Sequence, residues 1–370
     1  MGKDPVALLS KLVSIDSIYP HERKLAVFLE KELKKRRFRV TRQRISPDRF
    51  NLLAVRGDRG KPVMFYGHMD TVPVYGKWKT DPFALCEKGD MLVGLGAWDM
   101  KCGIAAILSA VDDADDNRRI KIVFGVDEEN ISEGAHAVAK SRFLDDADGV
   151  IVTEAGNSGN IALGPRMVTL GRRGRAVYLI EVSGQSAHGA TNKGINAALV
   201  AAGIVQSLEK QKMRSHKHLP KANQFVRKIH SEVEGLTIPD KAIIELDRHL
   251  VLPETFESVL VELNESVDAF RTEGVHIHVS LKKRKTPYLL PYISDRNDPF
   301  VRTVCEAIKA RYKKVAFNYG LSVADENVFA AAGLPVVTIG PVGGSDHSAD
   351  EWVSKKSYLE LIEVLKTIVR

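Results

Sequence analysis

The chain has 370 residues, 44% of them hydrophobic and 27% charged, with a formal net charge of +7. That length suffices for two domains and a large core, and the composition is that of a globular protein rather than a repeat or low-complexity chain. Its apolar stretches fall short of the roughly 18 residues of a membrane span.

The segment Met1-Gly2-Lys3-Asp4-Pro5 lacks the apolar core of a signal peptide. Cys86, Cys102 and Cys305 form neither a CxxC pair nor a disulfide framework, which points to a reducing, cytoplasmic setting. The densest basic cluster is Lys34-Lys35-Arg36-Arg37 with Arg39, Arg42 and Arg44. It reads as a solvated face near a helix C-terminus, and without a reader motif it gives no case for nucleic acid.

Asp4 and Pro5 predict an N-cap and first-turn proline for a helix through Leu8, Leu9 and Leu12. A second helix is expected over 22–35 with Leu25, Phe28, Leu29 and Leu33 inward. Strands follow at 38–43, 50–55 and 63–66. The last ends in Gly67-His68-Met69-Asp70-Thr71-Val72-Pro73. A hairpin is expected from 83–85 and 91–93 around Lys88-Gly89-Asp90. Gly94-Leu95-Gly96-Ala97-Trp98-Asp99 is a tight turn ending on a carboxylate, before a helix over 104–111.

A strand over 120–126 runs into Asp127-Glu128-Glu129, one over 149–153 into Glu154, and one over 335–339 into a loop bearing His347, with Glu351 nearby. Residues 170–283 differ in character. Strands at 176–182, 224–230, 242–246 and 275–281 and helices at 194–208 and 254–271 give a βαββαβ order, the split arrangement of a ferredoxin-like module. The first domain, 1–169, then resumes over 284–370 with a helix at 299–312. The fold class expected is α/β, with a central, largely parallel sheet and an inserted α+β domain.

Acidic residues or histidines thus follow at least four apolar strands. In a parallel sheet the positions just past strand C-termini share one crevice, where ligands bind. Histidine supplies an imidazole nitrogen, and a carboxylate two residues on, as Asp70 is to His68, can fix its tautomer. Two histidines with several carboxylates suit a pair of borderline metals such as zinc, cobalt or manganese, usually held about 3.5–4 Å apart by a shared carboxylate. Glu128 and Glu129 can supply one ligand and one free base, and spacing leaves open which is which.

The markers Gly67 to Pro73, Gly96-Ala97-Trp98-Asp99-Met100-Lys101, Glu128-Glu129, Thr153-Glu154, Ser186-Ala187-His188, Leu246-Asp247-Arg248 and the loop with His347 occur in this order over nearly the whole chain. Together they resemble the di-zinc family of aminoacylases, acetylornithine deacetylases, succinyl-diaminopimelate desuccinylases and related carboxypeptidases. The resemblance implies a zinc-peptidase-like catalytic domain and an inserted lid and dimerisation domain. It implies that His68 and Glu154 hold one zinc, Glu129 and His347 the other, and that Asp99 bridges them. Asp70 would orient His68, and Glu128 would be the general base. His188 would stabilise the oxyanion, often from the partner subunit, and Arg248 would bind the substrate carboxylate.

The implied activity is hydrolysis of an amide bond beside a free carboxylate. Deacylation of N-acyl amino acids comes first, carboxypeptidase or dipeptidase action second, and a catalytically inactive metal-binding or regulatory protein stands as the alternative from another class. The partners implied are a small N-acyl amino acid or short peptide and a second copy of the chain, with neither nucleic acid nor membrane. Where the family often has arginine before the bridging aspartate and glycine after Asp-Met-Lys, this chain has Leu95 and Cys102.

Overall fold

A computed structural model describes residues 4–154, 161–191 and 193–370. Met1, Gly2 and Lys3, which belong to the segment read above against a signal peptide, lie outside the described residues. Asp4 and Pro5 open the first helix as expected: the Asp4 carboxylate accepts the Val6 amide at 2.9 Å, and Pro5–Val13 buries Leu9, Leu12 and Val13. The second helix, Arg23–Lys35, buries Leu25, Ala26, Leu29 and Leu33, one stripe at helical spacing. These stripes join Lys101–Ala110 and Lys355–Val369 in a single apolar core.

That core supports a nine-stranded sheet among the described residues. Arg59–His68 runs parallel to both Arg118–Gly125 and Val150–Val152, and Val150–Val152 parallel to Val336–Thr338. Four C-terminal ends therefore point the same way. They deliver His68, the 127–129 segment, Glu154 and the loop leading to His347 to one edge of the sheet. Antiparallel strands Arg39–Arg44 and Phe50–Arg56 extend one side.

Several boundaries move for local reasons. The hairpin forms between Cys86–Lys88 and Met91–Val93, not from 83–85, because the Asp81 carboxylate takes the Phe83 amide at 2.8 Å and turns the chain there. The helix expected over 104–111 begins at Lys101, straight after the glycine-rich turn. Strand Met167–Arg172 and helix Lys355–Val369 were not anticipated; the former is buried throughout and shows no alternation to read.

Arg173–Tyr292 with Leu321–Val323 form a second compact unit. Its antiparallel sheet has the order Asn223–His230, Lys241–Leu250, Gly174–Ser183, His276–Leu281. Helices Ala197–Glu209 and Phe256–Val267 pack on the face formed by Ala176, Tyr178, Ile180, Ile244 and Ile277. The unit starts at 173 because Met167–Arg172 pairs within the large sheet. It runs on to 292 because the chain after Leu281 folds back, pairing Leu289 with Arg175. Among the described residues no helix is long and apolar enough to cross a membrane.

Candidate active site

His68 ends its strand with 1% of its surface exposed. Its Nδ1 lies 3.0 Å from the Asp70 main-chain oxygen and its Nε2 lies 3.1 Å from Asp99 Oδ1. The residue two places on thus does hold the ring, but through its carbonyl; the Asp70 carboxylate stands 3.8 Å from Nδ1 and instead accepts the Glu129 amide at 2.9 Å. That bond ties the loop after one strand to the loop after its neighbour.

Asp99 is the meeting point. Its Oδ1 faces His68, and its Oδ2 lies 3.6 Å from His347 Nε2, which is also 3.1 Å from Glu129 Oε2. Donor atoms of His68, Glu128 and Glu129 lie within 4.8 Å of one another, as do those of Asp99, Glu129 and His347. The turn carrying Asp99 needs Gly96, whose φ of +72° is accompanied by Thr71 2.7 Å from where a Cβ would stand. Glu154, 4% exposed, accepts from Arg172 Nη2 at 3.0 Å, and Arg172 is held in turn by Glu326 at 2.7 Å.

The Glu128-Glu129 pair follows Asp127, which adopts a left-handed φ of +76°. Its carboxylate secures that bend by accepting Arg49 Nη2 at 2.9 Å and the amides of Ile131 and Glu133 at 3.3 and 3.0 Å. Arg49 is itself gripped by Glu22 at 2.6 and 2.9 Å. Arg49, Arg172, Glu326 and Glu22 carry no motif signal; each stands beside another charged residue in the sequence and so passes for an ordinary polar segment.

Charge is crowded here. Burial, joined by the charges of Glu129 and Glu154, pushes the Glu128 carboxyl well above the usual carboxylate range, with His68 opposing. Burial, with Glu326 adding, does the same to Glu154. Asp70 is pushed by burial up to about 7. Burial also works to raise Asp99, but hydrogen bonds to His347 and His68 hold it low. Hydrogen bonds to Asp99 and Glu129 lift His347 to about 11. Two imidazoles and a cluster of carboxylates that raise one another's proton affinity form a donor set short of positive charge. Nitrogen and oxygen donors of this kind fit zinc, cobalt or manganese, and metal cations would relieve the mutual repulsion.

Other expectations meet different surroundings. His188 is exposed on the second unit, with its Nδ1 accepting the Ala190 amide at 3.1 Å. Arg248 requires a correction. It has no exposed surface, its Nη2 donates to Glu254 at 2.5 Å and its Nη1 to Gln224 at 3.0 Å. A guanidinium sealed inside the module and occupied by Glu254 is not a clamp for a substrate carboxylate. Cys102 is a buried helix residue whose thiol donates to the Trp98 carbonyl at 3.2 Å, and burial raises its pKa well above the ordinary thiol value.

Fold and donor set together define the class: an α/β protein with a candidate metal centre at the C-terminal ends of its parallel strands. Residues 64–370 match the Peptidase family M20/M25/M40, and the chain belongs to that family. It is similar to a succinyl-diaminopimelate desuccinylase of Methylobacterium radiotolerans, 27% identical, the match covering 94% of this chain and 91% of that protein. Among solved structures it is similar to aminopeptidase PepT from Bacillus cereus, with a TM-score of 0.80, 18% identity, and coverage of 100% and 98% of the two chains. It also matches the YXEP protein of Bacillus subtilis, a dinuclear metal binding peptidase from the M20 family, with a TM-score of 0.74, 14% identity, and coverage of 99% and 96%. The likeness to the two structures is one of fold.

Proposed function

We propose that this enzyme hydrolyses an amide bond adjacent to a free carboxylate, foremost by removing the acyl group of an N-acyl amino acid. The observation that carries the reading is Asp99 facing both histidines, 3.1 Å from His68 and 3.6 Å from His347, with Glu128 and Glu129 beside them. His68 and Glu154 would hold one zinc ion, Glu129 and His347 a second, and Asp99 both; cobalt or manganese could take their place. Such a pair supplies Lewis-acid polarisation of the scissile carbonyl and a water acidic enough to ionise near neutral pH.

The chain's own residues do the rest. Glu128, crowded by negative neighbours and raised in proton affinity, takes the proton of the attacking water and returns it to the leaving nitrogen. Asp70 keeps His68 in place through its carbonyl and anchors Glu129 through its carboxylate. His188 donates to the oxyanion, from the inserted module of a partner subunit in a homodimer. With Arg248 engaged inside that module, the group that grips the substrate carboxylate is a different one.

The test is a panel assay on zinc-loaded protein. N-succinyl-diaminopimelate, N-acetylornithine, other N-acyl amino acids and dipeptides with a free C-terminus are compared with their amidated forms. The expected result is cleavage of a free acid, loss with chelator, recovery with zinc or cobalt, and preference over the amide. Glu128→Ala should keep its metal and lose about 10²- to 10⁴-fold in turnover. Cleavage confined to dipeptides would assign a peptidase instead. No cleavage by metal-loaded wild type would leave a metal-binding protein without catalysis.

A further inference from the structure

Asp99 and His347 reach the site from segments almost 250 residues apart in sequence, and one buried side chain joins those segments. Glu351 is 2% exposed. Its Oε1 accepts the amides of Trp98 and Asp99 at 2.8 and 2.9 Å, and its Oε2 accepts the Gly96 amide at 2.9 Å. Its own carbonyl accepts the Gly94 amide at 2.9 Å. Four amide hydrogens of a six-residue turn therefore converge on a single residue, which stands four positions after His347.

We propose that Glu351 is a positioning residue for the metal centre, fixing the Asp99 carboxylate relative to His347. The inference rests on the metal reading above. Its logic is geometric. An N–H donor to a carboxylate makes a charge-assisted bond, and the bond from the Asp99 amide acts on the residue whose carboxylate faces both histidines. A second tie runs the other way, from the Trp98 indole to the Pro341 carbonyl at 2.9 Å. Gly343 lets the Trp98 indole close on the backbone there, since a Cβ would stand 2.5 Å from it. The turn and the His347 loop are thereby clasped at both ends. Their strands add a third link, Trp352 pairing with Val93. Glu351 works through the backbone of the turn, by its bonds to the Gly96, Trp98 and Asp99 amides.

The clasp explains why a carboxylate and not an amide stands at 351. Three N–H groups point at its two oxygens, and glutamine would present an NH₂ group to at least one of them. The expected consequence falls on metal retention, because partners that orient ligands are worth about 10- to 100-fold in metal affinity or activity.

The experiment is a zinc titration of apo-protein against a chromogenic chelator, on wild type, Glu351→Gln and Glu351→Asp, with melting curves and circular dichroism alongside. Wild type should take up two ions. Both variants should stay folded and bind at least one ion about 10-fold or more weakly. With a substrate found by the panel, turnover should fall while the Michaelis constant stays near wild type. Variants that melt earlier yet match wild-type zinc affinity would overturn the proposal, leaving Glu351 a stabilising residue only. Loss of the fold in both would overturn it too, by making Glu351 part of the core framework. Wild type that takes up no ion pair would instead overturn the metal reading, in an arm that involves no variant.

Discussion

Arg248 and Glu254 meet at 2.5 Å with 1% and 2% of their side chains exposed, and Gln224 takes a second guanidinium nitrogen. Removing one partner of such a buried pair leaves the other charged and dry, a cost of about 3–5 kcal/mol. Arg248→Ala should therefore lower stability in chemical denaturation by that order. The folded fraction should keep its preference for free acids over amides. A stable variant with a selectively raised Michaelis constant for free acids would restore Arg248 to the substrate. The residue also shows where reading a sequence meets its limit. An Asp-Arg pair at the end of a strand looks the same whether its guanidinium points outward or across to a glutamate six positions later. His68, Asp99, Glu128, Glu129 and Glu154 were legible because each follows an apolar strand or a glycine-rich turn. Glu351 was visible as a neighbour of His347, but its three amide bonds to a turn some 250 residues away leave no trace in spacing.

At the scale of elements, the site depends on how closely the helix Lys101–Ala110 lies over the strand Val150–Val152. Gly103 makes that approach possible. A Cβ at this position would stand 1.9 Å from the Thr153 carbonyl oxygen and 2.6 Å from its hydroxyl. The helix begins two residues after Asp99, and Thr153 directly precedes Glu154, so the contact sets the distance between two candidate ligands. Gly103→Ala must push helix and strand apart. The cost expected is about 1–3 kcal/mol, the usual range for overpacking, read as a shift in the denaturation midpoint, together with weaker zinc retention. An unchanged midpoint would mean that the helix has room the contact distances deny. The same packing explains which elements announce themselves. Amphipathic helices such as Pro5–Val13 and Arg23–Lys35 are plain from their apolar stripes. Lys101–Ala110 is buried on nearly every face, and Met167–Arg172 on both, so neither shows a period that marks its ends.

For the molecule as a whole, the proposed function asks a histidine on one compact unit to serve a site built on the other. His188 lies in the segment between strand Gly174–Ser183 and helix Ala197–Glu209 of the second unit, exposed, with Thr237 bridged to it and its Nδ1 accepting the Ala190 amide. With Nδ1 accepting, a neutral ring carries its proton on Nε2, the donor that oxyanion stabilisation requires. On the proposed reading that donor reaches the site of a partner subunit. His188→Ala should then keep its zinc and bind substrate, yet lose on the order of 10²- to 10³-fold in turnover. Glu128→Ala is inactive for a different reason, in the other unit. Mixing the two gives heterodimers in which one site joins an intact Glu128 from one chain to an intact His188 from the other, while the second site lacks both. If subunits exchange at random in a two-fold dimer, half the dimers are mixed and half their sites are whole, so about a quarter of wild-type activity should return. Exchange is followed independently with differently labelled subunits. Recovery near that level, growing at the rate of exchange, is the outcome expected of a donor supplied in trans. Complete exchange without recovery would place the donor within one chain, or remove His188 from the reaction if its alanine variant turned over normally.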